Sequence, residues 1–197
     1  MFLSPGIGYA IAAAFVWGTY IFALKRYFSG YPGTVLTVGI NAAAVAWYLP
    51  VTAVRADLDA VPAAAAIGLS EVGVVVGTIV ATAAAFLIFL RAIDAGEVSY
   101  VAPISKIVPV FVLPIEVLAL DARLTLLQVT GVAVATVAVY VANYRTGSLL
   151  EPLRRAARSR AAQLGLLSAA CFAFSDVGKR VALQELALPL TLWVPTV

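Results

Sequence analysis

The sequence predicts an all-α, polytopic transmembrane helix bundle, and three observations carry that prediction. Composition is the first: 63% of the residues are hydrophobic and 12% charged, whereas a soluble domain has roughly 45–50% and about 25%. The second is length, because apolar runs of about 20 residues, enough to cross a hydrocarbon core about 30 Å thick as a helix, recur along the chain. The third is spacing: nearly all the charges fall in short stretches between those runs. Barrel strands would need segments of about 10 residues alternating strictly between apolar and polar, and these runs do not alternate.

In chain order the spans read 7–24, 35–54, 63–90, 98–120, 126–143 and 164–186, and a seventh begins at Leu188. The first has no basic flank ahead of it and no small-residue cleavage site, and Lys25 and Arg26 follow it, so it is a retained helix and not a signal peptide. Turn and charge clusters at 29–33, 55–62, 94–97 and 121–125 separate the next spans. Such short links make sequential helices antiparallel neighbours. The exception is 144–160, where Arg145, Arg154, Arg155, Arg158 and Arg160 face a single Glu151. It reads as a linker between two units.

The text on either side of that linker repeats. GYAIAAAFVWGT, from Gly8, matches GLLSAACFAFSD, from Gly165, and each is followed by a Lys-Arg pair, Lys25-Arg26 and Lys179-Arg180, once a gap of about one helical turn is allowed. The predicted organisation is a five-helix unit over 5–144, a basic linker over 145–162 and the start of a second unit over 163–197. An odd number of spans inverts the second copy in the membrane, as in inverted-repeat transporters. The chain ends inside an apolar run, so the second unit is expected to be truncated. Small residues form rows at helical spacing: Gly6, Ala10, Ala14 and Gly18; Gly73, Gly77, Ala81 and Ala85; Ala161, Gly165, Ala169 and Ala173. Such rows let helix backbones approach closely, within the chain or between copies.

Composition also excludes. With no His and one Cys, Cys171, the chain cannot build a His or thiolate metal cluster or an internal disulfide, and no metal or cofactor is expected. The net charge of +3 comes mainly from one loop, so it does not indicate nucleic-acid binding. The expected partners are membrane lipid and a small-molecule substrate.

The most specific text is LRAIDAGEVSYVAPISKIVPVFVLPIEVLALDARLTLLQVTGVAVATVAVYV. It holds an Ala95-Gly96-Glu97-Val98-Ser99 turn, a following helix with Pro103 and Pro109, and then Leu124-Thr125-Leu126-Leu127-Gln128-Val129-Thr130-Gly131. With the Trp17-Gly18 pair of the first span, this pattern resembles the EamA domain of the drug/metabolite transporter superfamily. One departure is Asp121-Ala122-Arg123, where the family usually has Gly-Glu before Leu-Thr. The resemblance implies a ten-helix carrier made of two inverted five-helix units, moving small metabolites or drugs through a central cavity.

An ionisable group inside a bilayer costs on the order of 2.5–3.5 kcal/mol even on mild scales, which makes the intramembrane charges the candidate transport-path residues. Lys106 lies about 12 Å into the fourth span at 1.5 Å per residue. It either faces a cavity or snorkels as an anchor. Asp176 is as deep in the sixth span, where the local alternative is a pair with Lys179 or Arg180 at i+3 or i+4. Glu71 is shallower, and is interfacial if the residues before it lie among the headgroups; it or Asp176 is the expected partner of Lys106. Asn41 and Trp17 complete the candidate set. Pro103, Pro109 and Pro114 each remove a backbone donor from the fourth span, and kinks of this kind are tolerated where a cavity or neighbouring helices satisfy the freed carbonyls. Glu116 is placed at the interface.

Three function classes follow. The leading one is a secondary transporter in the cell membrane. The second is an intramembrane enzyme acting on lipid, which would need clustered acid, base or metal groups; there is no His and no carboxylate pair on one helix. The third is a membrane scaffold or inactive fragment. For orientation, the positive-inside rule puts Lys25, Arg26, Arg91 and the linker arginines in the cytoplasm, with the N-terminus outside. The family resemblance implies cytoplasmic termini instead.

Overall fold

The computed structural model describes residues 5–55, 68–144, 151–186 and 193. All regular structure among the described residues is helical: α1 (Pro5–Tyr27), α2 (Gly33–Arg55), α3 (Leu69–Ala95), α4 (Val98–Ser105), α5 (Val108–Leu120), α6 (Leu126–Ala142), α7 (Glu151–Arg158) and α8 (Arg160–Arg180). A π turn, Val181–Glu185, extends α8. Five stretches are long and apolar enough to cross a membrane: α1, α2, α3, α4 and α5 taken together, and α8 with its π turn. The apolar helix α6 is shorter, with 17 residues. The chain is therefore an all-α polytopic bundle. The start of the expected third span, 63–67, and the seventh span from Leu188, Trp193 apart, lie outside the described residues.

Two expectations need correction. The fourth span is not one kinked helix but two, broken at Lys106 and Ile107. The cause is Pro109, which has no N–H for the carbonyl of Ser105 and whose ring crowds that carbonyl, so the ladder stops one turn earlier. Pro109 itself sits in the first turn of α5, where a missing N–H costs nothing. Pro114 lies inside α5 without breaking it. The linker, in turn, is not only a loop, because it contains α7. The Ser159 side chain then caps α8 by accepting from the Ala162 N–H at 3.4 Å.

The core is the seam between α3 and α8. The two helices are antiparallel: Ala161 lies beside Gly96, Ser168 Oγ donates to the Ala85 carbonyl at 2.9 Å, the hydroxyls of Thr82 and Ser175 meet at 2.6 Å, and Gly178 lies against Thr78. The row Ala161, Gly165, Ala169, Ala173 is buried in this contact, with Gly165 also against Ile104 of α4. Small side chains are needed here: a Cβ on Gly96 would lie 2.7 Å from that of Ala161. By contrast, α2 and α6 have no buried residue.

Helix α1 runs parallel to α3, with Tyr20 stacked on Phe86 and Lys25 Nζ donating to the Ile93 carbonyl at 2.6 Å. It is therefore antiparallel to α8. This arrangement gathers Lys25, Arg26, Arg91, Arg154, Arg158 and Arg160 at one end of the bundle, together with Asp94 and Glu97.

Candidate functional site

The break in the fourth span positions the site. Lys106 is the C-cap of α4, and its N–H closes a tight turn onto the Pro103 carbonyl at 3.1 Å. Its side chain leaves the helix where the ladder is interrupted. The ammonium lies over the Trp17 ring of α1, 4.7 Å from the centroid. At an accessible site, contact with an aromatic face attracts a cation by about 0.5–1 kcal/mol. Trp17 is itself braced by Tyr20, at 5.4 Å between ring centres, and Tyr20 by Phe86. The indole N–H is buried and has no hydrogen-bond partner among the described residues, leaving a donor unused in the wall.

Lys106 and Asp176 line one cavity of about 220 Å³, with Ser105, Phe89, Phe172 and Lys179. The ion pair of Asp176 is with Lys179, three residues on, at 3.3 Å. The local pair therefore forms while Asp176 also lines the cavity. A larger cavity of about 920 Å³ shares Trp17, Phe172 and Lys179 with the first, and reaches Asn41, Trp47 and Thr82. The Asn41 side-chain amide donates to the Thr37 carbonyl in its own helix at 2.8 Å.

Glu71 is not brought to Lys106. It lies in the first turn of α3, accepts from Ser70 Oγ at 3.0 Å, and is about 27 Å along the helix from Phe89 at the cavity. A carboxylate there suits the positive end of the helix dipole. Glu116, near the end of α5, is buried and pairs with Arg180 at the end of α8. That pair ties the second half of the broken span to α8 beside the π turn. Spacing could not reveal it, since the partners are 64 residues apart.

The assembly consists of a broken helix, a lysine at the break and an aromatic wall facing a carboxylate, carried on apolar helices long enough to span a bilayer. The EamA-like transporter family matches residues 4–144, which takes in α1 to α6. The chain belongs to the EamA-like transporter family. Compared with curated proteins and with solved structures, it has no match. The EamA match and the apolar helices together make this an integral membrane protein of transporter type. Helix α8 lies beyond the matched residues and packs against the EamA unit through α3, α4 and α5.

Proposed function

We propose that this EamA protein is a secondary carrier of small metabolites or drugs in the cell membrane, working by alternating access between two inverted units. The observation that carries the reading is the placement of Lys106 at the break of a span, on the Trp17 ring and across one cavity from Asp176. Discontinuous helices put polar groups at mid-membrane where they line a cavity, which is where carriers bind substrate. In this reading α1 to α6 form one unit, and α8, antiparallel to α1, is the first helix of the other. Lys106 remains accessible, as a group that must meet a substrate has to be.

Each residue then has a part. Lys106 holds or balances an anionic substrate group or a coupled ion. Trp17 holds the lysine ammonium on its ring face when the site is empty. Asp176 keeps the cavity near neutrality, with Lys179 holding its carboxylate in place. The larger aromatic cavity, with Asn41 in its wall, receives the apolar body of the substrate.

The test is exchange in proteoliposomes. Labelled metabolites are screened for uptake, and the accepted compound is then loaded unlabelled inside. Alternating access predicts saturable uptake that internal substrate accelerates. Non-saturable flux indifferent to internal substrate would overturn the mechanism, and no uptake of any compound would favour the scaffold reading.

A further inference from the structure

We infer that the groove between α1 and α4 is a binding site for an anionic phospholipid, separate from the transport path. Its volume is about 530 Å³, and it shares no lining residue with the two cavities around Trp17. On α1 it follows one stripe, Gly18, Ile21, Phe22 and Lys25, with Arg26 and Ser29 at its mouth. Val98 and Ala102, from the start of α4, form the other wall.

Polarity is graded along this groove. Lys25 and Arg26 occupy the last turn of α1, while Gly18 is about 10 Å deeper along the helix axis. A phospholipid has the same gradient, with a charged head at the interface and a chain directed into the hydrocarbon. The Lys25 ammonium is fixed by its bond to the Ile93 carbonyl. Arg26 is exposed and has no ion pair among the described residues, and the carboxylates at this end, Asp94 and Glu97, pair with neither cation. A free guanidinium fork beside a fixed ammonium matches phosphate oxygens. A soluble anion would gain nothing from Ile21, Phe22 and Val98. A zwitterionic head would bring its own cation against Lys25 and Arg26, so an anionic head is favoured.

The full chain, purified in detergent, is titrated with phosphatidylglycerol and with phosphatidylcholine and followed by native mass spectrometry. Phosphatidylglycerol is expected to bind about tenfold more tightly, the worth of one charge-assisted contact. Arg26→Gln removes that preference. Gly18→Leu fills the deep end, where a Cβ meets nothing within 4 Å, and weakens both lipids while circular dichroism stays unchanged. Equal binding of the two lipids by the unmodified chain overturns the proposal, as does retained preference in Arg26→Gln. A photoreactive residue replacing Phe22 is expected to capture lipid, and capture of a second copy of the chain would show that protein fills the groove instead.

Discussion

The seam between α3 and α8 and the outward faces of α2 and α6 use overlapping residue types to opposite ends. In the seam, Ser168 is fully buried and gives its hydroxyl to another helix. On α6, Thr130 is exposed and gives its hydroxyl back to Leu126 in its own helix. Gly178 has no room for a methyl group beside Thr78, whereas Gly39 and Gly131 have nothing within 4 Å of a Cβ. Leu127 of α6 is 82% exposed, while Ala161, Ala162, Ala169 and Ala173 of α8 are buried. The difference shows how a membrane bundle distinguishes inside from outside. Lipid is as apolar as leucine, so hydrophobicity drives neither face inward; small side chains and hydroxyls that reach a neighbouring helix do.

The largest predicted effect breaks the seam at its tightest point. Gly178→Leu forces a side chain into Thr78, and overpacking of this kind costs about 1–3 kcal/mol or more. The expected outcome is loss of the monodisperse peak in size-exclusion chromatography, whereas Gly39→Leu keeps it. Equal damage from both would show that α2 is covered by another protein surface.

Next is the clasp between Glu116 and Arg180. Removing one partner of a buried pair costs about 3–5 kcal/mol, but Arg180 is 43% exposed, which brings the expected loss down to about 1–2 kcal/mol after screening. Arg180→Gln should lower the melting temperature in detergent, and the double variant Glu116→Gln/Arg180→Gln should recover part of the loss. Additive losses would mean the two side chains are not coupled.

Ser168→Ala removes one interhelical hydrogen bond, worth about 0.6 kcal/mol on average in a membrane protein. Thr130→Val on α6 should cost nothing measurable by the same thermal assay. The smallest effect has the opposite sign. Asp121 ends α5 in the left-handed region, with φ 49°, a conformation that Gly adopts without strain. Asp121→Gly should stabilise the chain by under about 1 kcal/mol.

The spans were legible in the sequence because a bilayer imposes length and hydropathy directly. The Asp176–Lys179 pair was legible too, since i+3 spacing is local geometry. The break at Lys106 was only half visible: Pro103, Pro109 and Pro114 all read as kinks, yet Pro114, like Pro50 in α2, sits in an unbroken helix. At Pro109 the chain instead closes tighter turns, from the Lys106 N–H to the Pro103 carbonyl and from the Ile107 N–H to the Ile104 carbonyl. Contacts between distant positions were not legible. Trp17 and Lys106 were each candidates for separate reasons, and nothing in their spacing places one over the other. The Glu116–Arg180 pair was hidden because the position of Arg180 depends on how α8 packs.

We propose that Lys106, which lies over the Trp17 ring at the break and shares a cavity with Asp176, is part of the transport path. Uptake of the accepted substrate should be compared in proteoliposomes of the unmodified chain, Lys106→Met and Lys106→Arg, over a range of pH. Lys106→Met is expected to insert and elute normally but to lose transport by about tenfold or more, the scale of a lost contact to a charged group. Lys106→Arg should keep part of the activity, because a guanidinium also sits on an aromatic face. Transport by Lys106→Met at the unmodified rate across the whole pH range would contradict that role, leaving the lysine as an anchor.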